Sequence, residues 1–322
     1  MSRTLFVTND FPPRRGGIET FVRQLCDRLP PGEVVVHTAS MPGSAELDRT
    51  LPYPVVRDPA TTLLPTRAVG ERVSATLRRH RCDRVVFGAA APLGLLAPTL
   101  RAAGAEHLTA VTHGHEVWWA SVPGTRGLLR RIGDAVDEVT YVSDYCRERI
   151  APALSAGAAA RMVRLSPTVD PHRFPPRNGG GPEVRRRHAI DSQALVVVTV
   201  ARLVRRKGQD TLVRIWPEVQ ERFPGAVLLL VGDGPQRSRL ERMVARRRLQ
   251  EVVRFTGSVP WEEVPAHLDA GDVFAMPCRD RLLGLEVEAF GIVFLEAAAC
   301  GLPIVAGRSG GVADALAATG QR

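Results

Sequence analysis

ALVVVTVARLVRRKGQDTL, from Ala194 to Leu212, sets the fold. Ala194–Val200 is a short β-branched apolar run, the composition of a strand buried on both faces. Two polar turns follow, and then a helical period starting near Gln209. Strand, basic loop and helix in so few residues make one half of a βαβ unit, which places the strand in a parallel sheet. The same texture repeats outward. Downstream strands are read at Ala226–Gly232, Val252–Thr256, Val273–Pro277 and Pro303–Ala306. Upstream strands are read at Thr4–Thr8, Val34–Thr38, Arg84–Gly88, Leu108–Thr112, Glu138–Ser143 and Met162–Ser166. Between them lie helical periods. Phe21, Val22, Leu25, Cys26 and Leu29 share one helix face, while Arg23, Asp27 and Arg28 fall off it.

The two series meet at FPPRNGGGP, Phe174–Pro182, the richest Gly/Pro stretch in the chain. Such composition reads as a linker. The expected organisation is therefore an N-terminal domain over residues 1–173, a linker region over 174–188 and a C-terminal domain over 189–322. Each is a Rossmann-like, doubly wound parallel α/β sheet, and two such domains facing each other enclose a central cleft. The length of 322 residues suits two cores better than one. No short-period internal repeat is present.

Composition narrows the class. Charged residues at 24% and hydrophobic residues at 44% exclude wholesale disorder. The five cysteines are scattered and form no CxxC pair, which argues for a reducing compartment and against a disulfide framework or zinc site. The apolar run before Asn9 is too short for a signal peptide. The longest uncharged stretch, Val85–Leu100, is 16 residues long and contains two prolines, short of the ~20 that a spanning helix needs. A soluble, cytoplasmic protein is expected. The formal charge is +9. No helix-turn-helix, zinc-finger spacing or aromatic-studded basic strand accompanies it, so nucleic acid is not an expected partner. An anionic membrane surface suits it better. Arg126, Arg130 and Arg131 flank Leu128, Leu129 and Ile132 after Trp118-Trp119, a basic amphipathic pattern that is equally that of an ordinary surface helix.

Of the 43 Lys and Arg residues, 42 are arginine; Lys207 is the one lysine. It sits with Arg202 at the carboxyl edge of the Ala194–Val200 strand, where ligands of open parallel sheets bind. A forked guanidinium and a compact ammonium together suit a diphosphate. Arg205 and Arg206 read as surface residues. Gly16-Gly17 stands at the first strand-to-helix turn, where glycine lets backbone amides approach a phosphate, although a Gly-Gly pair also makes an ordinary tight connection. Glu288 and Glu296 lie eight residues apart around Gly291-Ile292-Val293. If a loop enters a helix there, the first carboxylate sits at its mouth and the second about two turns inside. Carboxylates accept hydrogen bonds from sugar hydroxyls, and a plain acidic helix face has the same spacing. His113, after Leu108–Thr112, is a site candidate or a satisfied core histidine. No third ligand completes a metal site with it.

Taken together, TNDFPPRRGGIETF (Thr8–Phe21), FGAAAPL (Phe87–Leu93), THGHEVWW (Thr112–Trp119), RLVRRKGQD (Arg202–Asp210), VGDGP, DVFAMP and EAFGIVFLEAAACGLPIVA (Glu288–Ala306) resemble glycosyltransferase family 4, retaining enzymes of the GT-B fold. Within it the chain looks most like the actinobacterial phosphatidylinositol-mannoside mannosyltransferases that use GDP-mannose. The resemblance implies that Arg202 and Lys207 grip the donor diphosphate. Glu288 contacts the transferred sugar and Glu296 the nucleotide ribose, while Phe290, Gly291 and Ile292 supply backbone contacts. Gly16 and Gly17 form the glycine loop near diphosphate and acceptor. His113 lies near the reaction centre, and Asp10, Gly17 and His113 face the acceptor. The donor is a nucleotide-sugar, no metal or other cofactor is required, and the acceptor is a lipid-glycan at the inner face of the cell membrane, reached by peripheral electrostatic contact. Other family 4 transferases use UDP- or other NDP-sugars on different acceptors. The chain departs from the family in Thr168-Val169-Asp170, where Gly-Val-Asp is usual, and in Arg281-Leu282-Leu283-Gly284, where close relatives are glycine-rich. It also ends at Gln321-Arg322, where the family continues for a few helices. The C-terminal domain is therefore expected to be truncated, and a catalytically silent nucleotide-sugar-binding protein is the alternative.

Overall fold

The computed structural model describes residues 2–14 and 16–320. The chain divides into two compact units, Met1–Ser166 and Pro167–Arg322.

Unit 1 holds seven parallel strands: β1 (Thr4–Thr8), β2 (Val34–Ala39), β3 (Val55–Asp58), β4 (Arg84–Phe87), β5 (His107–Ala110), β6 (Glu138–Tyr141) and β7 (Met162–Arg164). Their order in the sheet is β3-β2-β1-β4-β5-β6-β7. Every residue of β1 and β2 is buried, as strands covered on both faces by helices must be. The helix Gly17–Asp27 buries Phe21, Val22 and Cys26 on the predicted face. Phe6, Phe11, Val22, Cys26 and Tyr53 form part of the core beneath it. Only β3 escaped the sequence reading, because VVRD is four residues long and ends on two charges.

Unit 2 holds five parallel strands: β8 (Val196–Val200), β9 (Val227–Val231), β10 (Val253–Gly257), β11 (Val273–Met276) and β12 (Ile304–Ala306), ordered β10-β9-β8-β11-β12. Trp216, Leu212 and Val213 from the helix Gln209–Arg222 pack on Leu228 and Leu230. In each unit the strand order reverses beside the first strand, between β1 and β4 and between β8 and β11. In doubly wound sheets ligands bind outside the carboxyl ends of strands at that reversal.

The division falls after Ser166 rather than after residue 173, and residues 174–188 are built into unit 2 instead of linking. Phe174 is buried against Trp261, with ring centroids 6.2 Å apart. The Gly181 N–H donates to Asp269 at 2.8 Å, and Arg185 donates to the Ala270 carbonyl and to Asp272, both at 3.0 Å. A Cβ at Gly181 would collide with the Asp269 carbonyl. Gly180 and Gly181 thus serve close packing, whereas Gly179, at φ 82°, supplies a left-handed turn.

In unit 1 the half-exposed Arg72 closes over a buried carboxylate, Asp58, and a buried histidine, His37. Asp58 accepts two bonds from Arg72 at 2.7 and 2.9 Å, one from the Ala60 N–H at 2.8 Å and one from His37 Nε2 at 3.2 Å. Burial pushes the carboxyl up, but these donors outweigh it and hold Asp58 below the usual carboxylate range. Its stabilising contribution is thus present above about pH 4 and lost in acid. Removing one partner of a buried pair leaves the others uncompensated. Asp58→Ala is expected to cost about 3 kcal/mol in urea unfolding at pH 7, with the gap to wild type narrowing below about pH 4.

Candidate active site

The site in unit 2 begins where β8 ends. Arg205–Lys207 form one turn of 3-10 helix, and Gly208, at φ 81°, opens the helix Gln209–Arg222. A Cβ on Gly208 would collide with the carbonyl of Pro277, just after β11. Glycine therefore lets the β8 loop press against the β11 loop, and the contact carries Lys207 to Glu288. Lys207 Nζ lies 2.6 Å from Glu288 Oε2, with the side chains only 12% and 10% exposed. Arg206 stands 3.8 Å from both Glu288 and Glu286, and Arg281 closes on Glu286 at 2.7 Å. The Arg206 main-chain carbonyl accepts from the Arg279 N–H at 2.9 Å. Arg206 is thus no bystander, and only the fold shows that the loop turns it inward. Arg202 is exposed on the same loop, and among the described residues its guanidinium has no ion-pair partner. Its carbonyl accepts from Gln209 Nε2 at 3.3 Å, so its backbone is anchored while its cation faces solvent.

Glu288 is buried in the loop ahead of the helix Ile292–Ala299. Its N–H donates to Ser309 Oγ at 3.0 Å, and its carbonyl accepts from the Gly311 N–H at 2.9 Å. Phe290 is buried beside it. Gly291, at φ 90°, turns the chain into the helix, and no side chain caps that end. The Phe294 N–H donates to the Gly291 carbonyl at 3.0 Å, and the Ile292 amide stands at the positive end of the dipole, where an anion is favoured. Glu296 is the fifth residue of this helix, so it lies about one turn inside, not two: residues 288–291 are loop.

The two carboxylates stand in different surroundings. Glu288 faces cations, whereas Glu296 is buried under Trp261, whose Nε1 donates to it at 3.4 Å. Burial pushes Glu296 up to about 7, opposed by the Trp261 bond and by Arg173. Arg173 covers the Trp261 ring at 3.5 Å. Neither Trp261 nor Arg173 was legible in sequence as part of the site, since both lie outside the recognised motifs.

Unit 1 places its candidates at the carboxyl ends of β1 and β5. Asp10, Gly16 and Gly17 follow β1; the Asp10 N–H donates to Thr8 Oγ1 at 2.9 Å and its carboxylate lies 3.7 Å from Arg14. Gly16 is exposed, and Gly17 is the first residue of its helix. His113 Nε2 bonds the Gly88 carbonyl. A carbonyl only accepts, so Nε2 carries the proton and Nδ1 keeps the free lone pair. Phe21 meets the ring edge-on at 5.7 Å. Burial pushes His113 down, against the opposing pull of Glu116, so the imidazole is neutral at pH 7. Glu116, fully buried, accepts the N–H groups of His113 and Gly114 at 3.0 and 3.2 Å and fixes that turn. Among the described residues no group of three His, Cys, Asp or Glu is arranged to hold a metal ion.

The chain is similar to known proteins along nearly its whole length. Residues 15–173 match the family model described as Glycosyltransferase Family 4, and residues 181–321 that described as Glycosyl transferases group 1. Over 322 aligned residues the chain is 46% identical to the GDP-mannose-dependent alpha-(1-6)-phosphatidylinositol monomannoside mannosyltransferase of Mycobacterium tuberculosis, covering 98% of this chain and 83% of that one. It is 41% identical over 320 residues to the GDP-mannose-dependent monoacylated alpha-(1-6)-phosphatidylinositol monomannoside mannosyltransferase of Corynebacterium glutamicum, covering 98% and 82%. Among solved structures, Anabaena Alr3699/HepE in complex with UDP and glucose superposes with a TM-score of 0.77 at 20% identity, over 98% of this chain and 83% of that one, which establishes a shared fold.

The Glu296 environment gives a stability test. Its folded value of about 7 exceeds the ordinary 4.5. The carboxyl therefore stabilises the fold fully below 4.5, and that contribution is lost as pH rises through about 7. Glu296→Gln removes the ionisation. It is expected to match wild type near pH 4.5 and to exceed it at pH 8 by about 3 kcal/mol, at 1.36 kcal/mol per pH unit of separation. Parallel urea curves at the two pH values check this.

Proposed function

The chain belongs to glycosyltransferase family 4, and on that premise we propose that it transfers mannose from GDP-mannose to a phosphatidylinositol mannoside, retaining the α configuration. The identity shared with the mycobacterial and corynebacterial mannosyltransferases over nearly the whole chain carries this reading. The site geometry supports it.

Unit 2 supplies the donor groups. Breaking the bond between sugar C1 and the diphosphate leaves negative charge on the leaving oxygen. Arg202 is solvent-facing and ready for a phosphate, Lys207 is close by in sequence, and the uncapped helix at Ile292 points its amides outward. Preorganised donors of this kind stabilise a leaving anion without reorganisation. Glu288 holds the sugar hydroxyls, and Glu296 the ribose. Phe290, Gly291 and Ile292 line the turn between them. Unit 1 supplies the acceptor groups: Asp10, the Gly16-Gly17 loop and neutral His113, whose free Nδ1 accepts a hydrogen bond from a hydroxyl. Attack on the face from which the diphosphate leaves, through an oxocarbenium-like state, retains configuration without a carboxylate nucleophile. No metal enters this scheme.

The acceptor is a lipid, so the protein works at the inner face of the cell membrane. No helix among the described residues is long and apolar enough to cross a membrane. The helix Pro123–Ala135 turns Leu129 and Ile132 into the core at 1% exposure, and leaves Arg126, Arg130 and Arg131 outside. Its apolar face is spent on packing. Contact with an anionic leaflet is therefore electrostatic and peripheral, aided by Trp118, which is 42% exposed.

Thermal-shift titration with GDP, UDP and ADP tests the base: stabilisation by GDP above the others is expected, and preference for UDP points to another family 4 donor. Lys207→Ala and Glu288→Ala should each abolish transfer while the far-ultraviolet spectrum persists. Lys207→Arg is sharper. Its forked head is bulkier than the compact ammonium that fits against Glu288, so transfer should fall at least tenfold; full activity in that variant removes Lys207 from the site.

A further inference from the structure

We propose that Ser309 and Asp280 are positioning residues for Glu288. The inference rests on the reading of Glu288 as the carboxylate that holds the transferred sugar.

The clamp is made by the backbone of Glu288 and the segment that follows β12. Ser309 Oγ accepts the Glu288 N–H at 3.0 Å, and the Gly311 N–H donates to the Glu288 carbonyl at 2.9 Å. The segment thus grips both polar groups of one residue. Because Ser309 Oγ already accepts, its own proton goes to Asp280, whose Oδ1 lies 2.7 Å away and also accepts the Gly310 N–H at 3.2 Å. The chain of bonds runs one way, from the Glu288 N–H through the hydroxyl to a carboxylate, and each bond polarises the next. Ser309 and Glu288 are 6% and 7% exposed, so water does not compete. Asp280 is exposed at the outer end.

Two glycines make this approach close. A Cβ on Gly310, at φ 47°, would collide with the Glu288 carbonyl, and one on Gly307 with the backbone of Cys278. The Gly307 N–H also donates to Met276 at the end of β11, at 3.1 Å. Ser309 therefore rides on a segment fixed to the sheet edge.

The need for a clamp follows from the ion pair. Lys207 ties down the tip of the Glu288 side chain. A donor diphosphate competes for that same ammonium. Once Lys207 turns to the diphosphate, the carboxylate keeps its register with the sugar through its backbone, which the clamp fixes. Misplacement of a contacting group by about 1 Å costs up to about a hundredfold in rate.

The test uses the full chain. Ser309→Ala is expected to lower kcat with GDP-mannose roughly ten- to a hundredfold, to leave GDP affinity unchanged, and to erase the gain in affinity of GDP-mannose over GDP. Ser309→Thr, which keeps the hydroxyl, should recover most of the activity. Asp280→Ala should give a smaller loss, and Asp280→Asn, which keeps an acceptor oxygen, less still. Asp280 is at the surface, so its variants decide the matter if Ser309→Ala does not fold. An active wild type that Ser309→Ala and Asp280→Ala both match within twofold overturns the clamp, as does a parallel fall in GDP affinity, which marks a merely structural role. A wild type that prefers another nucleotide-sugar overturns the donor reading, and the same affinity ratio is then measured with that donor. A wild type that binds no nucleotide-sugar overturns the reading of Glu288 and the clamp with it.

Discussion

The ion pair between Lys207 and Glu288 is the constraint around which unit 2 is arranged. It joins the loop after β8 to the loop after β11, the two strands that flank the reversal of strand order. Holding an ammonium and a carboxylate mostly out of water is costly, and their attraction offsets that only with close geometry and further partners. The structure supplies both. Gly208 permits the approach of the loops, Arg206 adds a second cation, and the backbone of Glu288 is bonded on each side. In the proposed reaction the donor diphosphate replaces the carboxylate as partner to the ammonium. On that proposal the one lysine in a chain that otherwise uses arginine is kept because the position takes a compact charge on a flexible stem.

The two carboxylates of the Glu-x7-Glu pattern show how environment separates roles. Glu288 sits among cations, and Glu296 sits under an indole in an apolar wall, where burial lifts it to about 7. In unit 1 the same logic acts on His113, which burial keeps neutral while the Gly88 carbonyl fixes its tautomer.

Much of this was legible in the sequence because it depends on local pattern. Eleven of the twelve strands found among the described residues are legible as short runs between helical periods; Lys207 lies at the carboxyl edge of one of them, and Glu288 and Gly291 at the mouth of a helix, as their spacing suggests. What was missed depends on contacts remote in the chain. Arg206 reads as a surface residue until the loop turns it toward Glu286 and Glu288. Ser309 and Asp280 are 29 positions apart and meet only through packing. Trp261 and Arg173 carry no motif, and the Gly/Pro stretch at 174–182 reads as flexible although Gly180 and Gly181 are packed against Ala266 and Asp269. The helix holding Glu296 begins only at Ile292, since Gly291 adopts a left-handed turn that spacing alone does not reveal.

On the proposed function, the Lys207–Glu288 site moves mannose from GDP-mannose onto a phosphoinositide glycolipid with retention. Incubation of the purified protein with radiolabelled GDP-mannose and a membrane lipid extract tests this most directly. Label is expected in a phosphatidylinositol mannoside one mannose larger than its precursor, released by α-mannosidase. Label that stays in the aqueous phase, or a lipid product formed only from another nucleotide-sugar, would contradict it.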